Sequence, residues 1–276
     1  MPLGVGAGLS ASNSEKYVVS IRIEADGFIF SGYVPGHPQS FFLHRPSFAS
    51  CGDYGQRLKE YFFDNEYLSW DYREVRVIPV SSRYTLVPRP FFEETKKERI
   101  MTLLFVNPSP CYLTNTTCDD EVVIIFDIPP DIHSFCMRSF TQVRFIHPIT
   151  PQLTFFRRQS RSCLTARMYG IIQDNALHVF CFRGGRILLV NTYGITAVDD
   201  ILYYLLCIWS QMGFEQEKDE LYLFSGNSDY NYNALTGTLS TYVRHIHPVE
   251  FPSEAYFLGT VMEQAAVDIR LLPVCE

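Results

Sequence analysis

His245 and His247, two residues apart, are the most closely spaced histidines in this 276-residue chain. On a strand, positions i and i+2 point to the same face, so both imidazoles could approach one ion. Apart from Glu250, neither cysteine nor carboxylate stands beside them to complete a set. The expectation is therefore a structural role and no metal. Asp26 and Asp174 form a second pair. Carboxylates brought together hold Mg²⁺, but Asp is also what a tight turn selects for its own sake. Arg157, Arg158 and Arg161 carry enough charge to hold a phosphate. With no glycine-rich loop nearby they read as the solvated end of a linker helix. His44, His133 and His178 are isolated. The chain contains no G-x-x-x-x-G-K-[ST], no G-x-S-x-G and no H-E-x-x-H, which removes the best-marked phosphate, acyl-transfer and zinc-hydrolase chemistries.

The eight cysteines, at 51, 111, 118, 136, 163, 181, 207 and 275, include no C-x-x-C, and Cys181 and Cys207 fall inside apolar patterns. They read as reduced thiols of a cytoplasmic protein. The chain is 47% hydrophobic and 19% charged, the composition of a folded globular protein. A net charge of -7 argues against nucleic acid or an anionic membrane surface as partner. The longest apolar run, residues 201–209, is too short to span a bilayer, so no membrane insertion is expected. Residues 1–15 are small and polar and read as a flexible tail.

The elements that must position these residues come in two similar sets. In the first, residues 17–24 alternate as a strand, Asp26-Gly27 is a favoured two-residue turn, and 28–33 is the return strand. A third strand follows at 40–44, then a helix opened by Asp53, then a buried strand at 74–80. In the second set, strands at 167–172, 177–182 and 187–191 are joined by Asp174-Asn175 and Gly184-Gly185. Thr196 is placed as the N-cap of a helix ended by Gly213, with a strand at 220–225 beyond it. That helix is apolar nearly all round, which places it between layers. Both sets read β-β-β-α-β. A second echo, Val143-Arg-Phe-Ile-His-Pro-Ile149 against Val243-Arg-His-Ile-His-Pro-Val249, supports an internal duplication with an insertion within about 81–120 of the first copy. Inside the insertion, 91–105 reads as a helix and 107–118 as loop or extended chain. Beyond it, 121–126 is a buried strand, and helices start near Pro129 and at Ile149. The polar, aromatic run Asp229-Tyr-Asn-Tyr-Asn233 reads as a loop that could line a surface groove.

The stretches Ser20-Ile-Arg-Ile-Glu-Ala-Asp-Gly-Phe-Ile-Phe-Ser31, Arg83-Tyr-Thr-Leu-Val-Pro88, Phe145-Ile-His-Pro148 and Asp199-Asp-Ile-Leu-Tyr-Tyr-Leu-Leu206, running on to Lys218-Asp-Glu-Leu221, resemble a bacterial family classed as a domain of unknown function. The resemblance spans nearly the whole chain after the tail. It implies an α/β fold of the actin-like ATPase type: two ribonuclease-H-like lobes, each a mixed sheet flanked by helices, facing across a cleft. The lobes would be 16–162, with the insertion around 81–120, and 163–276.

The resemblance implies no established activity. Active members of the wider actin-like superfamily hold ATP phosphates with a glycine-containing hairpin turn in each lobe and place carboxylates near Mg²⁺. On that pattern the candidate cleft positions are Asp26, Gly27, Asp174, Asn175, Ser225 and Gly226. The first turn lacks the small hydroxyl residue after its glycine. The second has no glycine, and the adenosine side has one glycine where a pair is usual. The expectation is a non-catalytic protein of this fold that binds a protein partner, with no cofactor. The alternatives are a divergent, weak Mg-ATPase using Asp26 and Asp174, and a ribonuclease-H-like nuclease, which the acidic charge disfavours.

Overall fold

A computed structural model describes residues 8–46, 53–117, 119–226 and 232–275. Residues 1–7 of the tail, Cys51, Cys118 and 229–231 of the polar aromatic run lie outside the described residues. Contacts divide the chain into two compact units, one made of the residues up to Pro151 together with Pro252–Val274, the other of Gln152–Phe251.

The first unit opens with the antiparallel strands β1 (Val18–Ile23), β2 (Phe28–Tyr33) and β3 (Phe42–His44), followed by helix α1 (Tyr54–Asp64) and strand β4 (Glu74–Pro79). Asp53 caps α1 as expected, its carboxylate accepting from the Gln56 N–H at 3.1 Å. An inserted piece comes next: β5 (Tyr84–Pro88), α2 (Lys97–Leu104), β6 (Cys111–Thr116) and β7 (Val122–Ile128). These strands form their own antiparallel sheet in the order β5-β7-β6. The helix expected over 91–105 is shorter, since Arg89–Phe91 and Glu94–Lys96 are separate 3₁₀ turns and only Lys97–Leu104 is α-helical. Helix α3 (Pro130–Ser139) and strand β8 (Val143–Phe145) return to the main sheet, whose order is β3-β2-β1-β4-β8.

Helix α4 (Ile149–Ser160) leads into the second unit: β9 (Ala166–Gln173), β10 (Ala176–Arg183), β11 (Arg186–Gly194), α5 (Val198–Gln211), β12 (Glu220–Ser225), α6 (Tyr232–Leu239) and β13 (His245–Pro248). Its sheet order, β11-β10-β9-β12-β13, repeats the first position for position. In each, the first three strands are antiparallel and the last two run parallel to the first. This is the duplicated ribonuclease-H-like topology that the resemblance implies. Short helices α7 (Ser253–Phe257) and α8 (Val267–Leu271) close the chain.

Every residue of β1 and β2 is buried, because the sheet of the first unit is covered on both faces. One face carries Val19, Ile21, Phe28 and Phe30 against Leu58 and Phe62 of α1 and Phe135 of α3. Leu9 is buried in the same core, which ties the chain down from residue 8 onward. The other face carries Val18, Ile29 and Ile78 against Ala255, Leu258, Met262 and Ile269 from the end of the chain. In the second unit α4 supplies the matching cover. Phe156 stacks on Tyr169 with centroids 4.5 Å apart and meets Phe180 at 5.2 Å. Each sheet is thus covered on one face by the helical segment that follows the other sheet in sequence.

The His-Pro echo is out of structural register. The Val80 N–H bonds to Ile23 O as Gly226 bonds to Ile172 O, which fixes β4 against β12. On that match Ile146, bonded to Val77 O, corresponds to Val249, bonded to Leu223 O. The sequence echo would pair Ile146 with Ile246, three residues away. An odd shift exchanges the faces of a strand. Accordingly His147 is buried, while His247 is exposed. The duplication is carried by topology, not by this motif.

Candidate functional site

Four of the six candidate positions meet in the second unit. Strands β9 and β12 run parallel with Ile172 opposite Ser225, and the Gly226 N–H extends the ladder to Ile172 O at 2.9 Å. The β9–β10 hairpin turns at Asp174-Asn175, with φ of 55° and 54°, and Gln173 pairs with Ala176 on either side. Two successive positive φ values make the type I′ turn that suits a right-twisted hairpin. Gln173 Nε2 donates to Asp174 Oδ2 at 3.0 Å, and Asn175 O accepts from the Ile195 N–H. Asp174, Asn175 and Gly226 are exposed, so the carboxyl ends of β9 and β12 present a small polar surface. That end of an open α/β sheet is where ligands bind.

The first unit carries Asp26 and Gly27 in a turn of different geometry. The Glu24 N–H bonds to Gly27 O at 2.9 Å, so the tip is Ala25-Asp26 and Gly27 already belongs to the ladder. None of Ala25, Asp26 and Gly27 takes a positive φ, which corrects the expectation of an Asp26-Gly27 turn built on that freedom. By turn position Asp26 matches Asn175, not Asp174. Tyr54 Oη donates to Gly27 O at 2.8 Å and anchors the turn to α1. Burial, with Glu24 nearby, pushes that phenol well above its ordinary range. Phe28, where a phosphate-binding hydroxyl would stand, is core: its ring meets Tyr61 at 5.5 Å and Phe62 at 5.9 Å. In the second unit the residue after Ala176 is Leu177, fully buried. Neither turn offers a side-chain hydroxyl at that place.

The other chemistry-bearing residues are employed structurally. His245 Nε2 lies 3.1 Å from Glu217 O, and the His247 ring sits 5.2 Å from that of Tyr222. Among the described residues no three of His, Cys, Asp and Glu converge as a metal site requires. Arg157 is buried, not a solvated helix end: its Nε donates to Gly185 O at 2.9 Å. Burial pushes the Cys136 and Cys181 thiols up to about 12, which leaves them without thiolate at neutral pH. Cys111, Cys136, Cys163, Cys181 and Cys207 are free thiols.

Sequence reasoning missed a polar centre where the inserted sheet joins β4. Asp127, 1% exposed, accepts from Ser81 Oγ at 3.1 Å, Arg83 Nε at 2.6 Å and the Ser109 N–H at 2.8 Å. Buried His147 lies beside it, its Nε2 3.0 Å from Ser81 O and its ring 4.7 Å from that of Tyr84. Asn115 donates to Phe145 O and accepts from the His147 N–H at 2.7 Å. The one available signal was a lone carboxylate inside the apolar run 122–128, since a buried charge must be paired. With three donors on its carboxylate, Asp127 holds the insertion in place.

Among solved structures, a Bacteroides thetaiotaomicron protein described as having an actin-like ATPase fold and unknown function is similar over 97% of this chain and 99% of its own, at TM-score 0.83 and 28% identity. The PilM–PilN type IV pilus biogenesis complex contains a chain similar over 92% of this one and 97% of its own, at TM-score 0.51 and 12% identity, a likeness of fold. Among curated proteins none matches. No helix of the described residues is long and apolar enough to cross a membrane. The family model described as "protein of unknown function (DUF3822)" matches residues 7–246, so the chain belongs to that family, and its fold is that of the actin-like ATPases.

Proposed function

We propose that this chain is a non-catalytic protein of the actin-like fold that acts by binding a protein partner in the cytoplasm. The observation that carries the reading is the filling of both phosphate-turn positions with core. Phosphoryl transfer depends on charge neutralisation and positioning by such turns and by a divalent ion. Phe28 and Leu177 turn those positions inward, Asp174-Asn175 has no glycine over which a phosphate could approach the backbone, and the adenosine side has Gly226 alone. A Mg-nucleotide fits this donor set poorly. The likeness to a chain of the PilM–PilN complex favours a partner-binding role, because there the same fold works as part of an assembly. The free cysteines suit a reducing compartment. The acidic charge disfavours nucleic acid and membrane surfaces.

A thermal melt with and without millimolar Mg-ATP tests the reading. A ligand at about 100 times its Kd stabilises by about 2.7 kcal/mol, several degrees for a chain of this size. No shift is expected. A clear shift, lost in an Asp26→Ala, Asp174→Ala double variant, would replace this reading with that of a divergent nucleotide-binding enzyme.

A further inference from the structure

We propose that two copies of this chain pair through the outer edge of β11, antiparallel about a twofold axis, with the outer face of α5 contributing to the contact. The proposal goes beyond the partner reading above and does not rest on it.

The duplication supplies an internal control. In the first unit the terminal strand β3 is Phe42–His44, three residues long, a short edge of the kind that discourages pairing. The topologically equivalent β11, Arg186–Gly194, is nine residues long, and among the described residues no strand pairs with its outer side. Its stretch Ile187–Val190 is apolar and only half-buried. The usual protections are sparse, with neither proline nor lysine. The single irregularity is a bulge where Cys181 and Phe182 face Leu189 and Ile187, which leaves Leu189–Gly194 regular. An unpaired row of N–H and C=O groups beside apolar side chains favours another strand.

Helix α5 continues the surface. Its sequence is apolar nearly all round, yet only Ile201, Leu205, Ile208 and Trp209 are buried. Leu202 and Leu206 are half-buried, and Tyr203 is 64% exposed. Tyr203 adjoins β11 through Tyr204, which stacks on Tyr193 at 4.5 Å and meets Tyr203 at 5.4 Å, while Leu202 and Leu206 lie on the opposite flank of the helix from Tyr204. Aliphatic and tyrosine side chains with few charges are what the core of a protein interface contains.

Charge selects the occupant and its direction. The start of β11 is basic, with exposed Arg183 and Arg186 opposite each other across the Gly184-Gly185 turn. Its far end is acidic: Ala176 faces Gly194 there, next to exposed Asp174, and Asp199 follows in the first turn of α5. Antiparallel pairing of two such edges sets each copy's arginines against the other's aspartates, whereas parallel pairing sets like on like. A twofold antiparallel edge is also self-complementary in its hydrogen bonds. A second copy of the chain meets all three conditions at once.

Light scattering on the full chain during size exclusion, loaded at ~50 µM and at ~1 µM, reads the state directly. The expected result is a dimer that dissociates on dilution. An Arg183→Glu, Arg186→Glu variant and a separate Tyr203→Asp variant are each expected to weaken it by about tenfold or more. Adding Asp174→Arg and Asp199→Arg to the first is expected to restore it, since the pairs then re-form with signs exchanged. These side chains are exposed, and a cooperative circular dichroism melt confirms that each variant folds. A monomer at both concentrations overturns the proposal. So does a dimer indifferent to these substitutions, or a loss that the exchanged charges fail to rescue.

Discussion

Asp268 has no exposed surface, and its carboxylate takes both distances from Arg22 Nε, 2.9 and 3.2 Å, beneath a strand whose every residue is buried. Arg22 Nη1 reaches back to Glu24 at 2.5 Å, so one guanidinium is shared between a buried and a half-buried acid. Two charges removed from water recover the cost of desolvation only while both are present. Asp268→Ala is therefore expected to lower the unfolding free energy by ~3–5 kcal/mol, the penalty of a buried charge without its partner. Glu24 holds the outer nitrogen and tempers that loss toward the lower end. The measurement is the urea midpoint at constant m-value. A double variant, Arg22→Met with Asp268→Leu, is expected to lose less than the single one, because apolar groups of similar volume carry no desolvation cost. A single variant within ~1 kcal/mol of the parent would mean that water reaches the guanidinium.

Among the elements, the β10–β11 turn has the narrowest tolerance. Gly184 and Gly185 have φ of 58° and 75°, and a Cβ built on Gly185 would stand 2.5 Å from Cγ and 3.3 Å from Cα of Arg161. The Gly185 carbonyl is meanwhile held by buried Arg157. Gly185→Ala is expected to cost ~1–3 kcal/mol through the left-handed backbone and the displaced helix end together. Gly36→Ala shares a positive φ, 76°, but nothing lies within 4 Å of its Cβ, so it is expected to cost only the backbone part. Comparing the two melting temperatures separates the contributions. This turn also shows what could be read in advance. Gly184-Gly185 was legible as a turn, and alternation placed the flanking strands, because side-chain period and turn chemistry are local. Asp26-Gly27 looked equally plain, yet the tip is Ala25-Asp26, since pairing register is settled by the buried faces of whole strands. Thr196 was expected to cap α5. Instead Ala197 occupies the cap, and the Asp200 carboxylate binds the Thr196 and Ala197 N–H groups at 2.8 and 3.0 Å. The same limit explains Arg157, Asp127 and the outer face of α5. Whether a polar group is buried, or an apolar one left bare, depends on segments 18 to 46 residues away for Asp127 and 28 for Arg157.

At the scale of the molecule, the exchange of covering helices decides how the chain comes apart. Gln152–Phe251 is one continuous stretch that holds its sheet, helices α5 and α6, and the part of α4 that carries Phe156. Its core of Met168, Val179, Leu205, Trp209 and Leu223 comes wholly from within those limits. The first unit is discontinuous, because one face of its sheet is covered by Pro252–Val274. Removing that segment would uncover Val18, Ile29 and Ile78, and would leave buried Arg22 without Asp268. A fragment of residues 152–251 is therefore expected to fold alone, with a cooperative melt and dispersed amide resonances. The longer fragment 8–251 is expected to show the second unit's transition only, with its first unit binding a dye that reports exposed apolar surface. The larger piece of chain should thus be the less completely folded one. Adding residues 252–275 in trans as a peptide should recover part of the first transition, since the missing cover is a contiguous segment. A first unit that melts cooperatively in 8–251 would show that the helices on its other face suffice.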